Sequence, residues 1–143
     1  MLKVGVVDGQ GGGIGSLVVK KLRETFSEEI EIYAFGTNAI ATAAMMKARA
    51  NKGATGENAI KVNISEMDVI IGPLSIVMAN SMMGELTPSM AEAISSAKAL
   101  KILIPLAQES VEVVGVQKEP LPHLIDTIID RLKLIMEKGG SDV

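Results

Sequence analysis

Val4-Gly5-Val6-Val7-Asp8-Gly9-Gln10-Gly11-Gly12-Gly13-Ile14-Gly15-Ser16 decides how the rest of the chain is read. An apolar run stops at Asp8, and five of the next seven residues are glycine. A helical pattern follows at once, with Leu17, Val18, Leu22 and Phe26 on one side. Strand, glycine turn and helix in that order open a nucleotide-binding β-α-β unit. Glycine suits such a turn because it takes positive φ and close backbone approach without a steric penalty. The first turn of the helix then presents unpaired N–H groups that favour an anion such as a phosphate.

Outward from this stretch, apolar and helical segments alternate. Strands are expected at residues 2–7, 30–35, 59–62, 68–71, 101–104 and 111–116. Helices are expected at residues 12–26, 39–50, 76–83, 88–97 and 123–137, with 51–58 a loop and 139–143 a frayed tail after a single domain over 1–138. Thr37 or Asn38 can cap the second helix, and Thr87 before Pro88 is a helix start signal. Asp68-Val69-Ile70-Ile71 is a continuous apolar run of the kind found in a central strand beside the first one. The fold class is therefore α/β, a Rossmann-like three-layer α/β/α domain with a mainly parallel sheet.

Composition agrees. Hydrophobic residues make up 48% of the 143, with one Tyr and two Phe, so the core is aliphatic, as in a parallel sheet covered on both faces. A net charge of −3, without a basic run or stacking aromatics, argues against nucleic acid. Without cysteine there is no disulfide framework and no thiolate metal site, and no His/Asp/Glu cluster points to a metal. The chain opens directly into a strand and holds no bilayer-length apolar run, which predicts a cytoplasmic protein without a membrane segment. Met78, Met82, Met83, Met45 and Met46, with many Ala, lie on helical segments and point to a homo-oligomer, most simply a dimer.

In a parallel sheet, ligands bind outside the carboxyl ends of the strands. The residues expected there are Gly9, Gln10, Gly11, Gly12, Gly13, Ile14 and Gly15, then Thr37 and Asn38, then Gly72, Pro73 and Ser75, with Pro105-Leu106-Ala107 at the last end. The spacing G-x-x-x-G-I-G at Gly9, Gly13, Ile14 and Gly15 resembles the pyrophosphate loop of short-chain dehydrogenases, which implies NAD(P) or another nucleotide. No acidic residue closes the second strand, so Thr37 and Asn38 suit a ribose or a 2′-phosphate and tip the expectation to NADP. Asp8 opposes a phosphate; its other role is to hold the turn by accepting N–H bonds. The competing reading is a turn whose glycines serve packing alone, in a non-catalytic scaffold or a subunit that needs a partner chain.

Several chemistries are excluded by residues. The only tyrosine, Tyr33, is followed four positions later by Thr37, so the Tyr-x-x-x-Lys pair of short-chain dehydrogenases is missing. Gly15 precedes Ser16-Leu17 where a Walker-type loop has Lys and Ser or Thr. A receiver domain needs an acidic pair and a late lysine; here there are Asp8 alone and Ile104-Pro105. His123 stands at a helix start without an identifiable partner, and Glu57 and Glu85 are loop carboxylates without an assigned use.

End to end, the chain resembles a small family of uncharacterised bacterial proteins catalogued as a domain of unknown function. The resemblance rests on Asp8-Gly-Gln-Gly-Gly-Gly-Ile-Gly15, Gly36-Thr-Asn-Ala-Ile-Ala-Thr42, Gly53-Ala-Thr-Gly-Glu-Asn58, Gly72-Pro73, Ala79-Asn-Ser81 and Glu119-Pro-Leu-Pro-His-Leu-Ile125. It implies a one-domain Rossmann-like protein and carries no activity with it.

Overall fold

Alternating apolar side chains on the strands supply both faces of one sheet. A computed structural model of the protein describes residues 1–106 and 110–139. In chain order it has β1 (Leu2–Asp8), α1 (Gly13–Phe26), β2 (Ile30–Gly36), α2 (Ala39–Lys47), β3 (Lys52–Thr55), α3 (Glu57–Asn63), β4 (Val69–Pro73), α4 (Pro88–Ser96), β5 (Leu100–Ile104) and α5 (Leu121–Glu137). The five strands lie in the order β3-β2-β1-β4-β5, and every neighbouring pair is parallel. The expected α/β fold with β1 beside β4 is what forms; Val4, Gly5 and Val6 lie opposite Val69, Ile70 and Ile71.

The period-two alternation of a strand divides the core in two. Val4, Val6, Ile32, Val69 and Ile71 face α1, α2 and α5, where Val18, Val19, Leu22, Met45, Ile128 and Leu132 close the layer. Val7, Phe35 and Ile70 face the other way, against Ile60, Ile64, Ile76, Leu86 and Ile94 from α3, α4 and their flanks. Leu17, expected on the buried side of α1, is instead 46% exposed, and Val19 takes its place. Arg23 is buried at the far end of α1, where its guanidinium donates to the carbonyls of Arg49 and Ser27 and to Asn51 Oδ1.

Five local expectations are corrected. Residues 51–58, expected as a loop, contain β3, and residues 59–62, expected as a strand, lie in α3. Ile60 and Ile64 are both buried four positions apart, a helical spacing that outweighs the short apolar run. β3 succeeds with small residues because α2 lies over it: a Cβ on Gly53 would sit 2.9 Å from Met46 Sδ. Residues 76–83 form no α-helix; two 3-10 turns, Leu74–Val77 and Met82–Gly84, flank an irregular stretch. Residues 111–116 form no strand beyond a single bridge at Val111, and Val114 is 97% exposed. β-Branched residues form a strand only where a neighbour and a buried face receive them, and beyond the bridge at Val111 residues 112–116 are exposed. α2 stops before Arg49, whose φ is 84°. Of the expected sites and tail, Ala107 and residues 140–143 lie outside the described residues.

Candidate functional site

The strand order reverses between β1 and β4, and the chain leaves their carboxyl ends in opposite directions, α1 on one face and α4 on the other. That divergence opens a crevice. A cavity of about 610 Å³ lies there, within the range of small-molecule sites. Asp8, Gly9, Gln10 and Ile14 line it from the glycine loop, Pro73 and Ser75 from the end of β4, and Met78, Asn80, Ser81 and Met82 from the segment beyond.

Asp8 is only 4% exposed. Its carboxylate accepts the N–H of Gly9 at 2.8 Å and of Gly15 at 2.6 Å. Burial pushes its carboxyl above the usual range, against the downward pull of the N–H groups of Gly15, Gly9 and Ile14; the charge of Glu85 adds to the rise. Asp8 thus holds the turn, as its second reading anticipated. It also occupies the first-turn donors of α1 that a phosphate would otherwise use. Gln10 N–H is engaged by Glu85 Oε1 at 2.8 Å. The N–H groups of Gly11 and Gly13 make no hydrogen bond among the described residues.

The loop's glycines divide by what surrounds them. Gly12 has a φ of 73°, and a Cβ there would lie 2.8 Å from Ala41 Cα, so this glycine lets the loop pass under α2. Cβ atoms on Gly9 and Gly15 would also collide, with Thr37 and Met82 and with Asp8 and Met45. At Gly11 and Gly13 nothing lies within 4 Å.

The remaining expected site residues are distributed as follows. Gly9, Gln10, Ile14, Pro73 and Ser75 line the cavity; Gly11, Gly12, Gly13, Gly15, Thr37, Asn38 and Gly72 do not. Gly72 is buried where β4 meets β1, its missing Cβ 2.6 Å from Val7 O. Thr37 and Asn38 stand at the end of β2, but their donors are taken: Thr37 Oγ1 donates to Glu85 Oε1 at 2.7 Å, and Asn38 Nδ2 to the same oxygen at 2.8 Å. Asn38 Oδ1 caps α2 by accepting from Ala41 N–H at 2.9 Å. A carboxylate in this position leaves the expected NADP 2′-phosphate without support, since it repels the anion and has already used the donors.

The sequence singled out Glu85 only as a carboxylate without a use, and no local signal pairs it with residues 48 and 75 positions away. The segment carrying it is unusual in its backbone. Asn80, Met82 and Met83 have φ of 65°, 56° and 57°, beside Gly84 at 91°. Leu86, fully buried, anchors its end, and Ser81 Oγ donates to Ser75 O at 2.6 Å. His123 is exposed in the first turn of α5. Among the described residues no group of three His, Asp or Glu side chains is arranged to hold a metal ion, and no helix is long and apolar enough to cross a membrane.

Over residues 3–137 the chain matches the family described as Domain of unknown function (DUF3842), and it belongs to that family. No curated protein matches it. Among solved structures it is similar to one described as a dodecameric FMN-dependent Ubix-like decarboxylase from Escherichia coli O157:H7. The two are 15% identical, over 93% of this chain and 95% of that one, with a TM-score of 0.46.

Proposed function

We propose that this DUF3842 protein is a nucleotide-binding module whose ligand sits in the cavity at the carboxyl ends of β1 and β4. The observation that carries the reading is the Ser75 hydroxyl. Ser75 as a residue is 3% exposed and lines the cavity. Its Oγ takes part in none of the hydrogen bonds of the described residues, and since no buried side-chain N or O atom among them lacks a partner, that oxygen is open to the cavity. A hydroxyl that is open toward a cavity, with both donor and acceptor capacity unused, suits a bound polar ligand. The switch-point position favours a nucleotide over other polar ligands. A phosphate at the mouth of the cavity is assigned to the N–H groups of Gly11 and Gly13, which stand next to the lining residues Gln10 and Ile14 without lining the cavity and have open space beside them.

Thermal shift against ATP, FMN, NAD(H), NADP(H) and S-adenosylmethionine tests this. A ligand at a hundred times its dissociation constant should stabilise the fold by about 2.7 kcal/mol. Gly13→Asp and Gly13→Ala then locate the phosphate. Gly13 starts α1 without a positive φ and without a near neighbour, so both variants should fold as the wild type does. Gly13→Asp should abolish binding and Gly13→Ala weaken it. A wild type that responds to no nucleotide leaves the scaffold reading in place.

The same chain is proposed to form an isologous homodimer. Ile40 at 71% and Met46 at 38% exposure are apolar side chains on α2 that a second copy would cover. Sedimentation showing only monomer at micromolar concentration would refute it.

A further inference from the structure

Glu85 reaches the glycine loop from the segment after β4, and its Oε1 gathers three donors: Gln10 N–H at 2.8 Å, Thr37 Oγ1 at 2.7 Å and Asn38 Nδ2 at 2.8 Å. These come from two loops, one after β1 and one after β2. The Asn38 amide cannot turn away, because its oxygen caps α2 and its nitrogen also donates to Gln10 O at 3.0 Å. The carboxylate is therefore held in one orientation. The Gln10 N–H, then Thr37 and Asn38, hold its carboxyl below the usual range, so it is charged at neutral pH. Its second oxygen, Oε2, makes no hydrogen bond among the described residues.

The surroundings offer nothing to offset that charge. Glu85 does not itself line the cavity but adjoins it through Gln10, which does; among the described lining residues there is no Lys, Arg or His, and the one charged residue is Asp8, another carboxylate. A phosphate arriving at the tips of β1 and β2 meets a negative charge and finds the donors already bound. A hydroxyl arriving there meets an acceptor with open lone pairs.

We propose that Glu85 determines the ligand class of the site: a neutral, hydroxyl-bearing group, such as an unphosphorylated ribose, at the tips of β1 and β2, with phosphate excluded from that position. This rests on the nucleotide reading above. A carboxylate usually does this work from the end of the second strand; here β2 ends in Gly36-Thr37-Asn38, and the acid is delivered from the other side of the switch point.

NAD⁺ and NADP⁺ differ by one 2′-phosphate and serve as the probe pair, with adenosine and adenosine 2′-monophosphate as a smaller pair. Calorimetric titration of the wild type should give at least about tenfold tighter binding of the unphosphorylated member of a pair. Glu85→Gln removes the charge and offers an amide donor, so the ratio should fall to about threefold or less. Thr37→Val removes one donor and keeps the charge, so its ratio should stay near that of the wild type. Equal affinity in the wild type, a preference for the phosphorylated member, or an unchanged ratio in Glu85→Gln overturns the assignment. If the wild type binds another nucleotide, such as FMN, but neither pair, the ribose assignment alone falls. If no nucleotide binds, it falls together with the reading on which it rests.

Discussion

Two segments border the same cavity and solve the same problem in opposite ways. Residues 9–15 leave β1 with glycine at most of the places where the chain must bend or pass close, Gly12 at positive φ beneath Ala41, Gly9 against Thr37 and Gly15 against Asp8, with Gln10 at φ 50° the exception. Residues 78–85 leave the region of β4 with left-handed backbone at Asn80, Met82 and Met83, and with a glycine only at Gly84. In the first segment composition has relieved the strain everywhere but at Gln10. In the second it has not, and the strained residues are the ones that wall the cavity. Glycine marks where one part of the chain crowds another. Left-handed backbone at larger residues persists only where surrounding contacts enforce it, and such places cluster at functional sites.

The largest expected effect breaks the first segment. Gly12→Val brings a branched side chain to a φ of 73° and into the backbone of Ala41, and should cost about 3 kcal/mol or more in urea denaturation. Its neighbour sharpens the point: Gly13→Ala, in open space, should stay within about 0.5 kcal/mol of the wild type. Similar losses at both positions would show that the division of the glycines is wrong.

Asp8→Asn comes next. The amide presents one acceptor to two N–H groups, and leaving the other unpaired should cost about 1–3 kcal/mol. The two carboxylates at this site also titrate in opposite senses. The folded state raises Asp8 above its ordinary 3.8, so its contribution to stability is full below that pH and is lost as pH rises through the folded value. The folded state lowers Glu85 below its ordinary 4.5, so its contribution is full above that pH and is lost as pH falls through the folded value. Urea midpoints followed through the acid range should therefore climb more steeply with pH in Asp8→Asn than in the wild type. An identical profile would remove Asp8 from the acid behaviour of the fold.

The smallest effect concerns the second segment. Met83 is 95% exposed at a φ of 57°, so it gains little from packing and bears a backbone strain of about 1–2 kcal/mol. Met83→Gly should raise stability by up to about 1 kcal/mol, the remainder offset by the flexibility of glycine in the unfolded chain. A loss of stability would show that the Met83 side chain, and not its neighbours, holds the segment in place.

What could be read from the sequence follows the range over which each signal acts. β1 and β4 were legible as central neighbours because an uninterrupted apolar run needs cover on both faces. The Asn38 cap and the Asp8 turn were legible because donor and acceptor lie within a few residues of each other. β3 was not, because Lys52-Gly53-Ala54-Thr55 has no strand propensity of its own and pairs only because Tyr33 to Gly36 offer a ladder. Val111 to Val116 had the propensity and lacked the ladder. The part of the site around Glu85 was hidden for the same reason: three donors from two loops meet one oxygen only after the sheet has assembled.

The bond from Gly15 N–H to Asp8 spans seven residues and closes the glycine loop into a ring with the end of β1. A loop cross-braced in this way keeps its shape whether or not anything is docked in it. A ligand then spends little of its binding free energy on ordering the loop. Association with such a surface approaches rigid docking, and differences in affinity between related ligands are expected to appear in how slowly each one leaves.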